Sequence, residues 1–107
     1  MTRNDIPPEL LADVENYLNI TWQDTDTDNK ISNLIASAST YLDSKLGSAA
    51  DYTADGMPRT LLFEYVRYAR DSALDVFETN YRSMILAMQN EGVTAVYGVE
   101  STVSPAN

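Results

Sequence analysis

Residues 24–47 read "DTDTDNKISNLIASASTYLDSKLG", and two local folds compete for them. Aspartates at 24, 26 and 28 resemble the first half of a helix–loop–helix calcium loop. Such a loop takes oxygen ligands at positions 1, 3 and 5, glycine at 6 and a bidentate Glu at 12. Here position 6 is Asn29 and position 12 is Ile35. Ile35 has no oxygen to offer, and it shares a stripe with Ile31, Leu34, Ala38, Leu42 and Leu46. Steps of three and four along that stripe trace one face of a helix. The stretch therefore reads as an acid-capped helix, with Thr25 and Asp28 at capping-box spacing. Acidic residues in the first turn and Lys45 near the end both complement the helix dipole, and Gly47 suits the C-terminal cap. Small residues 36–39 let a second helix approach closely. No calcium site is expected, and no cofactor.

Upstream, "PPELLADVENYLN" is a second helix signal. Pro7 and Pro8 suit a first turn, where a missing N–H costs nothing, and Leu10, Leu11, Val14 and Leu18 recur at helical spacing. The helix should stop near Asn19, leaving "ITW" as an apolar connector. Downstream, residues 48–57 form a polar loop that carries Asp-Gly before Met-Pro. Pro58 then opens a long pattern in which Leu62, Tyr65, Val66, Ala69, Ala73, Val76, Phe77, Tyr81, Met84, Ile85 and Met88 form a stripe. Two readings stay open: one helix ending at Gly92, or two joined at a bend over "ETN", residues 78–80. Glu64, Tyr68, Arg67 and Asp71 fall on the face away from the stripe, which reads as solvated. After Gly92 the residues turn β-branched, and Val93, Ala95, Tyr97 and Val99 alternate with Thr94, Val96, Gly98 and Glu100. That alternation predicts an extended segment.

These elements predict an all-α chain: a small bundle of three to four helices over residues 8–92, with an extended C-terminal tail over 93–107, in one domain. At 107 residues that is one modest hydrophobic core.

Composition narrows the chemistry. The chain has no Cys and no His, and a formal net charge of −9. It lacks the commonest general base and the usual zinc ligands. Carboxylate pairs such as Glu64 with Asp71, or Asp75 with Glu78, work as catalysts when burial separates their pKa values, and here both pairs fall on solvated faces. An enzyme is not expected. Nor is a nucleic-acid grip, which needs clustered Lys and Arg. "MTRNDIPPEL" has no basic region followed by an apolar run, and no stretch approaches the roughly 20 apolar residues of a membrane span. A soluble intracellular protein with no membrane partner is the expectation.

Seven tyrosines are unusual in a chain this short. Tyr68, between Arg67 and Arg70, reads either as the rim of the core or as a contact surface, since Tyr and Arg anchor many interfaces. Arg67, Tyr68 and Arg70 are therefore candidate interface residues, as are Val93, Val96, Tyr97 and Val99 of the tail. Four of the seven basic residues lie between Arg59 and Arg82, and acidic residues dominate before them. Charge segregated in this way favours head-to-tail pairing of copies.

As a whole, "LLADVENYLNIT", the aspartate-led "DTDTDNKISNLIASASTYLDSKLG" and "MPRTLLFEYVRYARDSALDVFETNYRSMILAMQNEG" resemble the head–tail connector proteins of long-tailed bacteriophages. The resemblance spans roughly residues 8–100. It rests on element order, on the acidic cap before a small-residue helix and on Pro58 before the long helix. It implies a helical adaptor that docks under the portal protein of the head, assembles into a ring of about a dozen copies, and meets neighbouring connector or tail proteins. DNA would pass through the lumen without specific binding. The implied place is the head–tail interface of the virion, assembled in the bacterial cytoplasm. The alternative is a small acidic regulator or DNA mimic that binds a host protein.

Overall fold

A computed structural model describes the backbone of residues 1–96 and the side chains through residue 91. Four α-helices follow a short 3-10 turn at Arg3–Asp5: α1 (Pro8–Tyr17), α2 (Thr25–Leu46), α3 (Met57–Arg70) and α4 (Leu74–Val96). No strand occurs among the described residues. The chain is all-α, as its periodicity predicts.

Pro8 sits in the first turn of α1. The helix unwinds after Tyr17, and Asn19 takes a left-handed φ of 62°, a conformation Asn tolerates better than most residues. The turn drives Ile20 into the core at 5% exposure and leaves Trp22 52% exposed. Only the first part of the "ITW" connector therefore packs under the bundle.

The N-cap of α2 is Asp24, not Thr25. Asp24 Oδ2 accepts from the Thr27 backbone N–H at 3.1 Å and from Thr27 Oγ1 at 2.8 Å. The helix is thus already under way at Asp26 and Asp28, which occupy its first turn. Ile31, Ile35, Ala38 and Leu42 are buried, with Leu34 and Leu46 packed at the edge. Gly47 closes the helix at φ 79°, its N–H donating to the Asp43 carbonyl at 2.8 Å.

The loop after α2 is polar in composition yet tied down. Tyr52 is buried, and its hydroxyl donates to Asp43 Oδ1 at 2.6 Å. The same oxygen accepts from the Ala50 N–H at 3.1 Å, and Arg59 Nη1 donates to the Tyr52 carbonyl at 3.0 Å.

Two helices replace the long downstream run, but the break lies at residues 71–73 and not at 78–80. Ser72 takes φ 57°, and the Ala73 N–H returns to the Tyr68 carbonyl at 2.8 Å. The polar Glu78, Thr79 and Asn80 are simply solvent-facing residues within α4. Apolar periodicity runs across the break because Ala69, Ala73 and Phe77 remain in step through it, so the stripe conceals the turn. Phe77 is fully buried at the centre of an aromatic cluster. Tyr65 and Tyr68 meet it edge-on with centroids 5.4 and 5.9 Å away, and Tyr81 stacks at 5.1 Å.

Gly92 does not stop α4, which continues to Val96. Val93 and Val96 therefore stand on a helix and not on an extended strand. Periodicity of two over so few residues is weak against a helix already nucleated, to which each further residue adds a backbone bond. Tyr97 and Val99 lie outside the described residues, so the rest of the predicted tail does too.

Candidate interaction surfaces

Glu64 is the largest departure from the sequence reading. The side chain assigned to a solvated face is 5% exposed. Burial of a carboxylate demands partners, and three helices supply them. Tyr17, at the end of α1, donates its hydroxyl to Oε2. Tyr81, on α4, donates to Oε1 at 2.6 Å. Arg67, one turn along α3, bonds Oε1 through Nη2 at 2.6 Å. Burial pushes the Glu64 pKa up, but the Arg67 and Tyr81 hydrogen bonds and the Arg67 charge outweigh it, and the net direction is down. Because it donates to the carboxylate, the Tyr81 hydroxyl holds its proton more tightly and its pKa is raised to about 12, by that hydrogen bond first and by burial second. The carboxylate is thus held ionised by an arginine and two phenols, with no second carboxylate beside it. The only clue in the sequence was Arg67 at i+3.

Much of the Arg67–Tyr68–Arg70 patch is used inside the subunit. Arg67 pairs with Glu64 and lies over the Tyr68 ring at 4.7 Å. Tyr68 is half-buried against Phe77 and Tyr81, and its hydroxyl accepts from Asn80 Nδ2 at 3.2 Å. Arg70 Nη1 reaches the Leu18 carbonyl at 3.4 Å. The patch ties the end of α1 to α3 and α4, which fits the rim reading of Tyr68. Of the other candidates, Val93 and Val96 lie on the last turns of α4.

A second carboxylate is strained by its surroundings. Glu15 on α1 has a buried Oε2 with no hydrogen-bond partner. Its pKa is pushed up to about 7, first by burial and then by the hydrogen bond and charge of Asp28 on α2. This pair does not build a calcium site with Asp24 and Asp26. Asp24 is spent on capping, Ile35 faces the core at 0% exposure, and no cluster of three or more potential ligands occurs among the described residues.

The surface also carries an open groove between α2 and α4. Tyr41 and Lys45 from α2 line it with Arg82, Ile85 and Leu86 from α4, around about 280 Å³. Tyr41 donates its hydroxyl to Glu78 Oε2 at 2.7 Å, and burial followed by that bond raises the phenol to about 12. Leu86 is 54% exposed. Sequence reasoning passed over this groove because Leu86 lies off the main stripe and Lys45 looked like a terminal charge alone. No protein-family model, curated protein or solved structure matches the chain.

Proposed function

We propose that the chain is a structural subunit of a phage virion, joining the portal of the head to the tail and extending the DNA channel as a ring. The observation that carries this reading is the order and opening of the helices. A proline-led α1 precedes an aspartate-capped α2 rich in small residues, a loop follows, and α3 begins with Pro58 in its first turn. That order is the ground of the resemblance to head–tail connectors. The net charge of −9 supports it further, since an acidic wall repels phosphate and lets DNA slide. In this reading the work is self-association and docking, with no bond made or broken.

The test is co-expression with a phage portal and major capsid protein, followed by electron microscopy of the heads. The expected result is a ring of density below the portal that disappears when this gene is deleted. A chain absent from purified particles and found instead on a host protein would replace the connector reading with that of an acidic regulator.

A further inference from the structure

Two surface features at opposite ends of α2 complement one another. At the N-terminal end Trp22, the single tryptophan of the chain, is 52% exposed. Its indole Nε1 donates to Thr27 Oγ1 at 3.3 Å, which steadies the ring beside the α2 cap. Asp24 and Asp26 are exposed next to it. The result is an aromatic knob flanked by carboxylates.

At the other end lies the groove between α2 and α4. Tyr41 and Ile85 give it an apolar lining, Leu86 extends that lining into solvent, and Lys45 and Arg82 supply positive charge. Neither cation forms an ion pair among the described residues. Lys45 Nζ lies 5.3 Å from the Tyr41 ring centroid. The acid in the groove, Glu78, already accepts from the Tyr41 hydroxyl. In a chain with 16 acidic and 7 basic residues, two unpaired cations beside exposed apolar surface make an uncommon receptor. About 280 Å³ is near the small end of ligand pockets, a scale suited to one aromatic side chain.

We infer that Trp22 of one copy seats in the Tyr41–Lys45–Arg82–Leu86 groove of the next, with Asp24 and Asp26 facing the two cations. The inference rests on the self-assembly reading proposed above and names its contact. Trp and charged partners are frequent interface anchors, and opposite charges set the register. The knob and the groove are separated by most of α2, about 30 Å at 1.5 Å per residue, so they do not meet within one chain. A contact between two different patches is heterologous. It closes into a ring if the rotation allows and runs on as a filament if not.

Trp22 is its own reporter. With the full chain, sedimentation velocity and tryptophan emission are followed over a concentration series. The expected result is growth in mass with a blue shift of emission, both weakened by salt. Trp22→Ala should weaken association about 30-fold or more while leaving the helical circular dichroism unchanged. Lys45→Glu with Arg82→Glu should abolish association, as should Gln23→Lys with Asp26→Lys, which spares the Asp24 cap. An equimolar mixture of those two double variants should restore it, because each then meets an opposite charge. Wild-type association untouched by these changes overturns the contact and leaves self-assembly standing on another surface. A wild-type chain that stays monomeric throughout, or a groove filled by a different protein, overturns the contact as well. The connector reading is decided separately, by attachment to heads.

Discussion

Glu64 and Glu15 show how far one carboxylate can differ from another on the same scaffold. Glu64 has donors from three helices; Glu15 has a buried oxygen with none. Their effects on stability run in opposite directions with pH. The Glu64 pKa lies below its ordinary value in the fold, so its contribution is present above the unfolded pKa and is lost as pH falls through the folded one. Glu64→Gln should therefore lower stability at neutral pH by about 1.5–3 kcal/mol, the range for hydrogen bonds to a charged group, and flatten the loss of stability in acid. Urea midpoints at neutral and acid pH measure both. The Glu15 pKa is raised from 4.5 to about 7, so its favourable contribution is complete below the unfolded value and disappears as pH rises through about 7. Glu15→Gln should raise the urea midpoint at alkaline pH and remove the slope between those two values. A variant that loses stability there would mean that Glu15 is held by a partner other than Asp28. Neither behaviour was legible in the sequence. Burial of a single acid depends on which tyrosines arrive from other helices, and spacing along α3 carries no trace of Tyr17 or Tyr81.

At the scale of elements, the strongest sequence signals located the helices and the weakest misplaced their ends. The α2 stripe from Ile31 to Leu46 survives as the core face because six apolar positions agree on one period. Its cap moved by one residue, since Asp24 and Thr25 are both competent caps and only the Thr27 geometry chooses between them. The turn between α3 and α4 was hidden because it preserves the apolar phase. Local chemistry now distinguishes the two proposed breaks. Ser72 holds a positive φ of 57°, so Ser72→Gly should raise stability by about 0.5–1 kcal/mol. Asn80 lies inside α4, so Asn80→Pro should cost about 3 kcal/mol or more. Thermal or urea unfolding of the pair checks this. If Asn80→Pro were neutral and Ser72→Gly destabilising, the helices would have to join at 78–80 after all.

For the molecule as a whole, the question is which part holds the subunit together and which part is available for others. Every buried apolar residue described, from Leu10 to Met88, belongs to α1–α4 or their connections. Residues 97–107 lie outside the described residues. On the sequence reading of residues 97–107 as a tail outside the helical body, truncation after Val96 should leave the helical circular dichroism unchanged and alter the free energy of unfolding by no more than about 0.5 kcal/mol, as for changes away from core features. The truncated chain then separates two modes of assembly. Should it lose attachment to portal-bearing heads while still associating with itself, the C-terminal segment is the docking element and the α2–α4 groove serves the neighbouring copy. Should it keep both, docking and self-association belong to the helices, and the exposed groove with Leu86 and Arg82 becomes the surface to mutate. A fall of several kcal/mol in stability would instead place residues 97–107 in the subunit's own core, and the division between a closed helical body and a reaching tail would have to be abandoned.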